Sequence, residues 1–378
     1  MTQPVRPAAA PAARTAGPEV AAGLAWVSWL RVLAITAVVL IHTAGLTAVA
    51  PDARETLEGQ LAIALDFSSR WAVPVFVMLS GAVLLDPARY RGTGDFLRRR
   101  AIRLVPAVVV WHLVYLGYRL VFTDSPDGLG DLARLVLTGK LWTALYFFWI
   151  ILGLAVITPV LLPWIASTAR RTQLAVGLVA AMVPALTLFT VPIRTDQGWH
   201  ADMSWVETPW TWWVPYLGYY LLGYALRGVV LKRGGTAVAL ATFVTGSALL
   251  SWQWAKTEGV AGWIERYMPA EAYYSPTTIV IVVSVFLLGQ TLVRSGGLLD
   301  PLCRPGPAIV GRRLGDATLG VFAVHLLVLE AVLQIPVIGG SIIAGSAGEL
   351  VARCVVVLVV AYLISLLASR IPFLSRVF

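Results

Sequence analysis

Residues 29–45 read WLRVLAITAVVLIHTAG, and this stretch decides the fold. Between Arg31 and His42 there is no charged residue. On a helix, eleven steps of about 100° bring the second side chain to within roughly 20° of the first. The two therefore share a stripe, about 16 Å apart along the axis. That is roughly half the hydrocarbon thickness of a bilayer. Ionisable groups inside a span cost on the order of 3 kcal/mol each, so a span that keeps two of them on one face has a use for them.

The rest of the chain agrees with a membrane setting. Its 378 residues are 58% hydrophobic and 13% charged, where soluble domains carry about 25% charge. Mean hydropathy is +0.79. Ten stretches are long enough to span, at about 24–49, 61–85, 101–122, 142–165, 173–191, 211–231, 236–254, 274–293, 314–335 and 349–369. This predicts an all-α polytopic bundle of about ten transmembrane helices. With both termini on the cytoplasmic side, twenty of the 29 Lys and Arg residues fall inside. The acids gather opposite, among them Asp52, Glu55, Glu58, Asp124, Asp127, Asp202, Glu207, Glu258, Glu265 and Glu271. The formal charge of +9 thus reads as positive-inside topology, with the lipid bilayer and no nucleic acid as the partner. Trp142, Trp205, Trp210, Trp212, Trp213, Tyr216, Trp252, Trp254, Tyr273 and Tyr274 cluster at outer span ends, as an interfacial belt does, with a sugar-stacking surface at the outer mouth as the alternative.

Residues 1–22 are rich in Ala and Pro and are expected to form a disordered cytoplasmic tail, ahead of one membrane domain over 23–378. A cleaved signal peptide fits poorly, because the next apolar segment is a full span holding Arg31 and His42. No soluble domain is expected after the last span. The two cysteines, Cys303 and Cys354, suggest neither a disulfide framework nor a zinc site, and no metal is expected. GxSxG, P-loop and HExxH signatures are missing, so any catalytic site must be assembled from the spans.

His42 falls in the outer half of the first span. A neutral imidazole there can take a proton from a hydroxyl, or it can simply bond a neighbouring helix. Residues 86–106, DPARYRGTGDFLRRRAIRLVP, hold Arg98, Arg99, Arg100 and Arg103. Arg100 and Arg103, three apart, face similarly and can grip phosphate. Arg98 and Arg99 read better as anchors on anionic lipid heads. In residues 69–85, SRWAVPVFVMLSGAVLL, Arg70 lies near the outer end, Pro74 one turn later, and Ser80 and Gly81 further in. Arg70 and Ser80 are possible site-lining residues, with packing the default for Ser80. So are His325 and Glu330 in GVFAVHLLVLE, residues 320–330, which point about 140° apart and form no local pair. His112 reads as structural, and His200 as an exposed loop residue.

Together these segments resemble the integral-membrane acyltransferase-3 family. The matching pieces are Arg31 and His42 as its R-x10-H, VPVFVMLSG at 73–81, and Arg100-Ala-Ile-Arg103 as its RxxR. YFFWIILGLAVITPVL at 146–161, YYLLGYALRG at 219–228 and LGVFAVH at 319–325 also match. The resemblance implies a membrane-embedded O-acyltransferase of the plasma membrane. It would move an acyl group, usually acetyl, from cytoplasmic acetyl-CoA to a hydroxyl of a carbohydrate, a glycolipid or another acceptor. His42 would be the catalytic histidine, and Arg31, Arg100 and Arg103 would serve the acyl-CoA site. Transient acylation of His42 is an alternative within that chemistry. A transporter or flippase that uses the intramembrane charges as a substrate path is the alternative from another class.

Overall fold

Apolar helices dominate the computed structural model, which describes residues 25–122, 128–196, 208–256, 259–336 and 338–378, with backbone only at 129 and 190–196. The expected 1–22 tail, His200, Trp205 and the acids Asp124, Asp127, Asp202, Glu207 and Glu258 lie outside the described residues. In chain order the helices are α1 (Ala25–Ala48), α2 (Leu57–Phe67), α3 (Ala72–Leu84), α4 (Thr93–Phe122), α5 (Leu129–Thr138), α6 (Tyr146–Ser167) and α7 (Arg170–Asp196). Then follow α8 (Leu217–Ala225), α9 (Arg233–Ala255), α10 (Gly259–Tyr267), α11 (Pro276–Leu292), α12 (Pro305–Asp316), α13 (Thr318–Leu333) and α14 (Ala347–Ala368). No strand occurs among the described residues.

Seven spans among the described residues are long and apolar enough to cross a membrane, with α2 and α3 together forming one of them. The count reaches eight if α12 and α13, bent by 55°, are taken as a single broken span. Two of the ten expected stretches give shorter helices. In 274–293, α11 has 17 residues. In 211–231, α8 has only nine. A 3₁₀ turn at Val214–Tyr216, with Pro215 inside it, uses up the start of that stretch. Gly228 at φ 78° ends it with a left-handed turn that glycine adopts at no steric cost.

The expected 61–85 span is interrupted at residues 68–71, where α2 ends and α3 begins. Pro74 sits in the first turn of α3, where its missing N–H is harmless. Small residues then bring backbones together. A Cβ at Gly81 would strike the carbonyl of Tyr220, and one at Gly223 would strike that of Met78. Helices α3 and α8 therefore meet almost backbone to backbone, the close approach that glycine allows in membranes.

Helix α1 is the hub, in contact with α2, α3, α11, α12, α13 and α14. At the opposite end of the bundle from Arg31, a wholly buried Arg353 on α14 is saturated. It donates to the carbonyls of Ile338, Ser341 and Ile342 at 2.7–3.1 Å and pairs with Glu349 at 2.6 Å. An arginine can be buried at this depth because each of its three guanidinium nitrogens donates to at least one acceptor.

Candidate active site

The stripe read from the first span serves two places. Arg31, half-buried, lines a cavity of about 300 Å³ with Arg100 and Arg103 from α4, Ser80 from α3, and Asp316 and Thr318 at the α12–α13 bend. Arg100 and Arg103 come together because they are about one turn apart on α4. Asp95 in the first turn of α4 favours that start. The field at Arg31 includes Asp316, Arg103 and Arg100. Among the described residues, none of these three arginines makes an ion pair. The Nε of Arg100 is buried without a hydrogen-bond partner, a state that costs free energy unless an acceptor arrives. The Ser80 hydroxyl donates to the Phe76 carbonyl at 2.9 Å, so it lines the cavity while bonded to its own helix.

Three aromatic rings form a collar in the wall of this cavity. Phe76, Phe147 and Phe322 all line it. Phe147 lies 5.0 Å from Phe322 and 6.0 Å from Phe76, ring centre to ring centre. Beyond Phe322 stands His325, fully buried, with its ring 5.9 Å from that of Phe322. The His325 ring lies 5.2 Å from the ring of His42. His42 is thus not a wall of the arginine cavity. It stands behind the collar, paired with a second imidazole.

The tautomer of His325 follows from its partner. Its Nδ1 is 2.7 Å from the Phe322 carbonyl oxygen, which can only accept, so the neutral ring carries its proton on Nδ1. Nε2 then presents a lone pair, and it has no partner among the described residues. A buried, unsatisfied acceptor beside His42 is equipped to orient a hydroxyl or an imidazole N–H.

The other sequence candidates lie elsewhere. Arg70 is engaged by Asp66 through two contacts of 2.8 Å, and its guanidinium stacks over Phe67 at 4.9 Å. Tyr273 and Glu271 also act electrostatically on Arg70. Arg70 contributes to the field at His42 but does not touch the arginine cavity. Glu330 is half-buried and acts electrostatically on Tyr115 and Tyr118 of α4, away from His42. His112 bonds the Val108 carbonyl at 2.7 Å and packs on Trp149.

Sequence reasoning missed Asp66, Asp316 and the phenylalanine collar. Asp66 was visible as an i,i+4 partner of Arg70. Asp316 closes the helix before the 55° bend, which apolar length alone does not reveal. Nothing in the sequence marks Phe322 as a gate apart from its place three residues before His325.

A family model described as an acyltransferase domain, acyltransferase-3, matches residues 24–368. No curated protein and no solved structure matches the chain.

Proposed function

Because the chain belongs to the acyltransferase-3 family, we propose that it transfers an acetyl group from cytoplasmic acetyl-CoA to a hydroxyl of a carbohydrate, a glycolipid or another acceptor. The observation that carries this reading is the unpaired set Arg31, Arg100 and Arg103 around one cavity, whose far wall, Phe322, adjoins the His325–His42 pair. Coenzyme A brings several phosphate charges, and unpaired guanidinium groups are their natural partners. The thin pantetheine arm would pass the collar with the thioester leading. On this reading the arginine face is cytoplasmic, both termini lie inside, the shorter α8 and α11 complete about ten crossings, and the host is the plasma membrane.

In the transfer step His42 accepts the hydroxyl proton while the acceptor oxygen attacks the thioester carbonyl carbon. The C–S bond then breaks, the sulfur leaves with coenzyme A, and the proton passes to the thiolate. The His325 Nε2 lone pair orients this chemistry by accepting a hydrogen bond. Purified protein in lipid nanodiscs, incubated with labelled acetyl-CoA and a panel of glycans and hydroxylated metabolites, tests the reading. Labelled ester that disappears in a folded His42→Ala variant is the expected result. Full transfer by that variant overturns the role of His42, and movement of a solute without any acylated product points to transport.

A further inference from the structure

A second cavity, of about 410 Å³, opens beside the first and shares Val83, Leu84 and Arg100 with it. Its size suits a small-molecule site. Arg89, Arg91, Arg99 and Arg100 line it against a single lining carboxylate, Asp86. Asp86 is already committed, since Arg227 binds it at 3.1 Å and Arg89 approaches it at 3.5 Å. Arg99 is held by Asp95. Arg91 has no ion pair among the described residues and is exposed.

The cavity also contains an aromatic platform. Tyr90 lines it half-buried, with its hydroxyl 2.7 Å from that of Thr93 and its ring 6.3 Å from Phe96. Phe96 is buried beneath and carries the Arg100 guanidinium 5.5 Å from its ring centre. Gly92, at φ 108°, turns the chain between Arg91 and α4, a conformation that side-chain-bearing residues rarely adopt. The hydroxyl contact with Thr93 and the neighbouring Phe96 ring hold Tyr90 against the cavity. A rigid ring among guanidinium groups is how proteins hold a nucleobase next to phosphates.

We infer that this cavity is the nucleotide subsite of the donor. The adenine stacks on Tyr90, and Arg89 and Arg91 hold the ribose 3′-phosphate. Arg100 bridges to the diphosphate in the inner cavity. The inference rests on the acyl-CoA reading above. It goes further by dividing donor recognition between two adjoining cavities and by giving Tyr90, Arg89 and Arg91 roles in specificity.

The test is a binding ladder on the full protein in neutral phosphatidylcholine nanodiscs, using coenzyme A, 3′-dephospho-coenzyme A and 4′-phosphopantetheine. Wild-type protein is expected to bind coenzyme A at least about tenfold more tightly than phosphopantetheine, with the dephospho form between them. Tyr90→Ala should close most of that gap, and Arg91→Gln should remove the step between coenzyme A and its dephospho form. Equal affinity of wild type for coenzyme A and phosphopantetheine overturns the subsite alone. No binding of coenzyme A overturns the donor reading and the subsite with it. Nanodiscs with added phosphatidylglycerol separate a nucleotide from a lipid headgroup as the source of phosphate. If the anionic lipid abolishes coenzyme A binding in wild type but not in Arg91→Gln, the cavity is a headgroup site and the inference fails.

Discussion

The two ends of α1 treat arginine in opposite ways. Around Arg31 the guanidinium groups of Arg100 and Arg103 have no ion pair among the described residues and surround a cavity. Toward the other end, Arg70 is gripped by Asp66 and Arg353 by Glu349 and three carbonyls. A saturated arginine is scaffold, because its charge is spent on the fold. An unpaired one retains a demand for an anion that the protein itself does not meet. The contrast locates the proposed donor at one end and a rigid frame at the other, with His42 between them.

The sharpest way to break that contrast is at its midpoint. His42→Ala is expected to lower the rate of acyl transfer about 10²–10⁴-fold while coenzyme A affinity stays near that of wild type. Equal losses in both would mean that His42 belongs to the donor-binding end. The pH profile of kcat sharpens the same point. Protonation of His42 removes the lone pair that must accept the hydroxyl proton, so activity falls where acidic pH protonates the imidazole and levels off above it. A flat acid limb with saturated donor would contradict the base role.

At the scaffold end, Asp66→Asn leaves the half-buried Arg70 without its counter-charge. A loss of about 3–5 kcal/mol of stability is expected, read as early thermal unfolding in detergent. Exchanging both partners for apolar residues should cost much less. If Asp66→Asn unfolds normally but loses transfer, the pair belongs to the site and not to the frame.

At the donor end the expected effect is smaller and of a different kind. Arg100→Gln removes charge-assisted hydrogen bonds worth about 1.5–3 kcal/mol, roughly 10–150-fold in Kd for coenzyme A, with thermal stability close to that of wild type. Added salt should weaken wild-type binding more than that of the variant. The smallest effect is expected at the α3–α8 contact. There Gly81→Ala pushes a methyl group toward the Tyr220 carbonyl and should cost about 1–3 kcal/mol of stability.

Much of this was legible in the sequence, for physical reasons that also mark its limit. Apolar length and charge placement identify a multi-pass helical protein, because the bilayer allows few alternatives. They do not report where an apolar run breaks. The 211–231 stretch reads as one span, yet a proline-containing 3₁₀ turn and a left-handed glycine leave α8 nine residues long. The spacing of Arg31 and His42 places them on one stripe of one helix. It says nothing of Phe322, 280 residues beyond His42, which stands between the arginine cavity and the imidazoles. His325 enters in the same way. Its own helix shows only that it diverges from Glu330, whereas the 5.2 Å approach to His42 is a product of packing α13 against α1. The Tyr90 platform was hidden in a loop whose arginines dominate the reading.

Transfer requires a thioester from the arginine cavity to reach His42 past the phenylalanine collar. An experimental structure with coenzyme A bound tests this most directly. Phosphates on Arg100 and Arg103, a displaced Phe322 ring and a thiol within hydrogen-bond reach of His42 or His325 are expected. A thiol pointing away from the imidazole pair, with the collar still closed behind it, would contradict the account.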